Sequence, residues 1–442
     1  MKSMQINDSW ETSDNNRISW FCYTVVFLNG GLFFLSDWKR TGIPFFREGY
    51  LLILCLITLW LIIRHKQWFF SFWINSALLI YVIFIFAVPA ISALMKFGQP
   101  LLYGLLEERR CLFYLVFLPV FYGLCIQAIS PNGLIKCIKV TSCLCMALAF
   151  LYFLGILSQN QHVFFATQDT SARVVVWDQR NATRFPIGTP YVVTSMLFIM
   201  LNFSKSKISI FDSLFLVVAF LYLFFIDQSR LTLVFTLGVF FVLLFTNIKF
   251  LLRLSVPIAA IIVLLVCLFM GTDLLQGAVA KVTFMVNDAT MSIEDRVRYT
   301  TTVTVLNSLA DNYLLGLGSL SQQWNGGFSD FYSDNFFLTD VGVIGIIYRF
   351  GFLVVGLLVF YYGMFLSGMR GTHSFVVKGI VYFFLVRQLV YFAFESDMIW
   401  GGHVLGVILA MLYYEKFFLI REKDEGRSAP PLGGESSIAQ PL

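Results

Sequence analysis

Ile74-Asn-Ser-Ala-Leu-Leu-Ile-Tyr-Val-Ile-Phe-Ile-Phe-Ala-Val-Pro-Ala-Ile-Ser-Ala-Leu-Met95 runs for 22 residues without a charged side chain. One crossing of a bilayer needs roughly 20 mostly apolar residues, and only helices or closed barrels satisfy every backbone hydrogen bond in lipid. The run is continuous and lacks the period-two alternation of a barrel strand, so it predicts a transmembrane helix.

The same pattern recurs outward in both directions. Apolar windows fall near 19–36, 50–63, 111–129, 139–158, 190–203, 210–226, 231–246, 254–271, 336–369, 379–395 and 403–420. With 74–95 they predict an all-α polytopic membrane protein of about twelve helices, 19–423 forming one multispan domain. The 336–369 stretch is long for one crossing and is interrupted by Gly342, Gly345, Arg349 and Gly351, which suggests a short re-entrant or tilted piece followed by a helix. Composition agrees. Hydrophobic residues make up 58% of the chain and charged residues 13%, against about a quarter charged in soluble proteins.

Short alternate links carry Arg64/Lys66, Lys136/Lys139, Lys205/Lys207, Lys249/Arg253 and Arg370/Lys378 with few acids. The positive-inside rule assigns them to the cytoplasm, together with the N-terminal 1–18 and a tail, 424–442, whose polar, Pro-, Gly- and Ser-rich composition predicts disorder. The polar start does not fit a cleaved signal peptide. No basic run is long enough for nucleic acid. The eight cysteines form no CxxC, and the four histidines stand far apart without metal-ligand spacing, so neither a metal nor another cofactor is expected.

Two connections on the opposite, outer side are much longer than the rest, 159–189 and 272–335, and long loops over a scaffold tend to carry function. The second is expected to be partly helical. Ser292-Ile-Glu-Asp295 reads as an N-cap, and Val297, Thr301, Val305 and Leu309 repeat along one helix face up to Leu315-Gly-Leu-Gly318.

Arginines recur on this outer side: Arg173, Arg180 and Arg184 in the first loop, Arg230 in a tight link between spans, and Arg296 and Arg298 in the second loop. A guanidinium offers a planar fork of donors that fits phosphate oxygens two at a time, so the set points to an anionic partner. Any single one is also explained as a side chain snorkelling to lipid headgroups. Arg349 and Arg387 lie deeper, where ion pairing is the plain explanation: Arg387 with Glu395 or Asp397, Arg349 with Asp340. A hydroxyl acceptor also needs a base. Asp227, Glu294, Asp295, Asp334, Asp340, Glu395 and Asp397 are the candidate carboxylates, and Asp334, in Tyr332-Ser-Asp-Asn335, is the first to test.

Several pieces in order resemble the bacterial O-antigen polymerase and O-antigen ligase superfamily. They are Arg184…Gly188…Pro190 before a span, Gln228-Ser-Arg230 before a Leu/Phe/Val-rich span, and a second loop with Arg296 and Arg298. That loop continues through Asn312-Tyr-Leu-Leu-Gly-Leu-Gly318 and Ser333-Asp-Asn335 to Gly342-Val-Ile-Gly345. The resemblance covers about Arg184 to Gly351. It implies glycan transfer from an undecaprenyl diphosphate carrier in the bacterial inner membrane, without metal or nucleotide sugar. Arg184 and Arg230 would clamp the diphosphate, and Arg296 or Arg298, with Asn335, would contact substrate; Arg173 and Arg180 join them on charge. Ligases place a histidine where this chain has Asp334, which favours a polymerase. A ligase or a flippase of lipid-linked oligosaccharide are the competing expectations. Expected partners are the lipid-linked oligosaccharide, membrane lipids, a chain-length regulator and a flippase.

Overall fold

A computed structural model describes residues 12–34, 43, 45–153, 156, 187–203, 209–227, 230–246, 297–309, 312–333 and 336–419. Among them the secondary structure is helical, apart from one isolated bridge between Phe34 and Ile43. The expected crossing at 254–271, most of the first long loop, 272–296 of the second and the 424–442 tail lie outside the described residues.

In chain order the helices are α1 (Thr12–Asn29), α2 (Phe46–Arg64), α3 (Lys66–Ser71), α4 (Trp73–Phe97), α5 (Leu101–Glu108), α6 (Phe117–Cys125), α7 (Pro131–Phe153), α8 (Thr189–Phe203), α9 (Ile210–Leu221) and α10 (Arg230–Thr246). Then follow α11 (Val297–Leu309), α12 (Phe328–Phe331), α13 (Val343–Phe350), α14 (Leu353–Met369), α15 (Phe375–Tyr391), α16 (Phe394–Trp400) and α17 (Gly402–Tyr414). Among the described residues four helices are long and apolar enough to cross a membrane: Phe46–Arg64, Trp73–Phe97, Pro131–Phe153 and Ile210–Asp227. A fifth is Phe394–Trp400 with Gly402–Phe418, if this pair, bent by 75°, is one broken span.

Burial explains the layout. α17 is apolar all round, and every residue from Val404 to Tyr413 is buried, as for a helix at the centre of a bundle. Its glycines Gly402 and Gly406 let the backbone of the 3-10 stretch Arg109–Val116 come close, because a Cβ at either would meet Tyr114. α2 lies at the periphery. Its Leu52, Leu56, Leu59 and Ile63 are exposed, an apolar face suited to lipid on a helix long and apolar enough to cross a membrane.

Local signals set the element ends. α4 stops at Gly98, whose φ of 71° supplies the left-handed cap and whose N–H bonds back to Leu94 O. α1 begins at Thr12 and ends at Asn29, shifted from the expected 19–36 because Gly30 and Gly31 (φ 82°) break it. The long 336–369 stretch divides into α13 and α14 at Gly351, whose φ is 58°, in keeping with the expected interruption. The helix expected in the second long loop is α11, with Thr301, Val305 and Leu309 buried. It seeds a small second core of Val305, Leu309, Leu317, Phe336, Leu338 and Tyr348, against which Phe97 at the end of α4 packs.

Candidate functional site

Polar side chains gather where α1, α4, α5, α9 and α15 end and where α2, α8 and α17 begin. One group is built on the turn into α8. Gly188 (φ 65°) reverses the chain, its carbonyl accepts from the N–H groups of Tyr191 and Val192, and Pro190 sits in the first helical turn, where its missing N–H costs nothing. Thr189 is thereby presented to the end of α9, which finishes in a π-helical stretch, Tyr222–Asp227. Such stretches are frequent at functional sites. Thr189 Oγ1 donates to Asp227 Oδ1 at 2.9 Å and lies 3.0 Å from the Tyr222 hydroxyl, which donates to Ile187 O.

This clasp joins two stretches that the sequence singled out separately. Arg184 is five residues before Thr189, and Arg230 is three after Asp227, opening α10. Their guanidinium groups lie outside the described residues, as do Arg173, Arg180, Arg296, Asp334 and Asn335. Of the expected substrate contacts Arg298 alone has a described side chain, exposed on the first turn of α11.

The second group is ionic. Arg349 on α13 pairs with Glu108 at the end of α5 and, at 2.7 Å, with Glu395 on α16, while Ser319 donates to Glu108 and accepts from Arg349. All four are buried. Arg349 thus bridges Glu108 and Glu395, on segments distant from it in sequence; the side chain of Asp340, the partner expected, lies outside those described. Arg387 pairs with Asp397 at 2.8 Å, one of the two partners expected, and Tyr114 donates to the Asp397 carbonyl at 2.6 Å.

No family model matches this chain, and no curated protein matches it.

Around the buried pairs the network continues to the surface. Arg47 and Arg109 both reach Glu48, at 2.9 and 3.2 Å, and the Arg110 guanidinium stacks 4.6 Å above the Trp400 ring. Burial pushes the Glu107 carboxyl above the usual carboxylate range, against the opposing pull of Arg349. The block Glu107-Glu-Arg-Arg110 therefore links the ionic group to the rim. Its signal was present: two acids and two bases at the edge of an apolar run are costly unless neutralised by partners. Among the described residues no three His, Cys, Asp or Glu side chains gather as a metal site.

Chemically, the two groups differ. Around Arg349 one guanidinium bridges two buried carboxylates, so that group ties together segments far apart in sequence. The Thr189–Asp227 clasp fixes the roots of two arginine-bearing loops beside each other, which suits convergence on one anion.

Proposed function

We propose that this chain is a polymerase that joins undecaprenyl-diphosphate-linked oligosaccharide units into O-antigen or another surface polysaccharide. It works at the periplasmic face of a bacterial inner membrane, crossed about twelve times. The reading rests on the resemblance across Arg184 to Gly351, and the Thr189–Asp227 hydrogen bond is the observation that carries it, because it brings two of the resembling pieces side by side.

In this reading the growing glycan on its diphosphate carrier is the donor, and a hydroxyl on the non-reducing sugar of a new lipid-linked unit is the acceptor. The bond between the donor's anomeric carbon and the phosphate oxygen breaks as the bond to the acceptor oxygen forms. Asp334 takes the acceptor proton, and undecaprenyl diphosphate leaves. Arg184 and Arg230 stabilise the charge that develops on the leaving diphosphate, with Arg173, Arg180, Arg296, Arg298 and Asn335 as further substrate contacts. A flippase delivers the lipid-linked units, and a chain-length regulator sets when extension stops.

The test is reconstitution in lipid with undecaprenyl-diphosphate oligosaccharide, scored for a ladder of longer glycans and for released undecaprenyl diphosphate. Transfer of finished glycan to a different lipid acceptor without a ladder would replace the polymerase reading with a ligase. Movement of intact substrate across the bilayer without transfer would replace it with a flippase.

A further inference from the structure

The segment Ser321-Gln-Gln-Trp-Asn-Gly-Gly-Phe-Ser-Asp-Phe-Tyr-Ser333 follows the Ser319 contact with Glu108 and ends at Asp334. Its backbone is held firmly. Gln99, fully buried at the end of α4, donates to Ser319 O at 3.0 Å and accepts from Ser321 N at 2.8 Å, bracketing the start of the segment. Trp324 N bonds to Ser321 O and Gly327 N to Trp324 O, both at 3.0 Å. Asn325, Gly326 and Gly327 all have positive φ (44°, 67° and 65°), a tight reversal that two glycines permit. The Asp330 carboxylate folds over Gly326, and Ser329 Oγ donates to Gly326 O at 2.8 Å.

On this fixed frame the side chains point elsewhere. Trp324 stacks on Phe331 with ring centres 5.8 Å apart and planes 14° apart, and Phe331 meets the edge of Phe97 at 5.2 Å. Phe331 is 43% exposed and Trp324 is half-buried, so the pair forms a rigid apolar plate at the surface. Gln322, Gln323 and Asn325 flank it, all exposed, with side-chain amides that can donate and accept. Asp330 is the one charged residue in the segment.

Each feature selects the same ligand chemistry. A nearly neutral segment does not attract a polyanion. Amides donate and accept at once, matching sugar hydroxyls, which do the same. A fixed aromatic plate matches the apolar C–H face of a pyranose ring, and a backbone already ordered loses little entropy when ligand binds. We infer that the Gln322–Phe331 surface binds the sugar portion of the acceptor, with Trp324 as its stacking platform and Gln322, Gln323 and Asn325 as its hydroxyl contacts. The inference rests on the polymerase reading for the word acceptor, and the surface leads directly into Asp334, the base of that reading.

The test uses full-length protein in lipid nanodiscs and, as probe, the lipid-free oligosaccharide released by mild acid from the host's own lipid-linked repeat unit. Saturation-transfer NMR reports binding without any need for turnover. The expected result is transfer to the sugar protons that is lost in Trp324→Ala, kept in Trp324→Phe and weakened in Gln322→Ala/Gln323→Ala, which leaves the plate intact. In the ladder assay the acceptor KM should rise about tenfold in Trp324→Ala, the weight of one stacked ring, with kcat little changed. Absence of transfer in the wild-type protein, or equal transfer in all variants, would overturn the inference whether or not a ladder forms. Sugar binding without a ladder would uphold the surface and sink the polymerase reading.

Discussion

Thr189 Oγ1 donates to Asp227 Oδ1 at 2.9 Å across 38 residues of sequence, with the Tyr222 hydroxyl 3.0 Å away on the same threonine oxygen. Thr189→Val keeps the shape of the side chain and removes the donor from a carboxylate that is 1% exposed. The expected cost is about 1–3 kcal/mol. Thermal unfolding of the purified protein in lipid should fall accordingly, and ladder formation should fall with it, while Thr189→Ser retains most of both. A Thr189→Val protein as active as wild type would mean that the clasp does not position the two arginine loops.

Arg349 stands between two buried carboxylates, Glu108 and Glu395. Arg349→Met leaves both acids without their cation, and breaking a buried pair in this way costs about 3–5 kcal/mol. Neutralising the acids as well, in Arg349→Met/Glu108→Gln/Glu395→Gln, should recover a large part of the loss. Additive destabilisation in the triple variant, measured by thermal unfolding, would show that the three side chains do not act as a unit.

Two glycines meet back to back where the second loop touches the α13–α14 break. Gly316 (φ 68°) and Gly351 (φ 58°) leave no room for a Cβ, which at either position would lie 2.5 Å from the other's backbone nitrogen. Gly351→Ala should therefore destabilise by about 1–3 kcal/mol. Gly356→Ala, within α14 and with nothing within 4 Å, should be neutral or slightly stabilising on the same unfolding assay.

Glu107 predicts a pH dependence. Burial holds its carboxyl above the usual range, so between the ordinary and the raised pKa the unfolded chain ionises first and folding loses stability as pH rises. Above the raised value the penalty is complete. Glu107→Gln should therefore melt higher than wild type at neutral pH. The gap should narrow as pH falls through the raised pKa and close below the usual carboxylate range. A gap independent of pH would mean that the gain comes from packing.

Much of this was legible in the sequence, and the pattern of what was not follows from distance along the chain. The Ile74–Met95 run gave α4 within two residues at either end, since a charge-free apolar stretch has few alternatives. The Val297–Leu309 periodicity gave α11, and Gly351 gave the break that divides α13 from α14. For Arg387 the expected partners were Glu395 or Asp397, and the one it takes, Asp397, is within reach of a local reading because it is ten residues away. Glu108, a partner of Arg349 that the sequence did not suggest, lies 241 residues from it, and nothing local marks a contact made by helix packing. The 3-10 winding of Arg109–Val116, expected as the start of an α-helix, accompanies the close approach of Gly402 and Gly406, which is again a tertiary cause. The Trp324 plate escaped notice because a lone Trp-Asn-Gly-Gly reads as a turn until Phe331 and Phe97 are seen beside it.

The most direct test of the central claim is the reconstituted ladder assay on wild type, Arg184→Ala and Arg230→Ala, with protein in lipid and undecaprenyl-diphosphate oligosaccharide as sole substrate. The account predicts a ladder and stoichiometric release of undecaprenyl diphosphate from wild type, and loss of both in each variant at unchanged unfolding temperature. A ladder of equal yield from all three proteins would contradict the arginine clamp, and no ladder from a folded wild type with its matched substrate would contradict the polymerase itself.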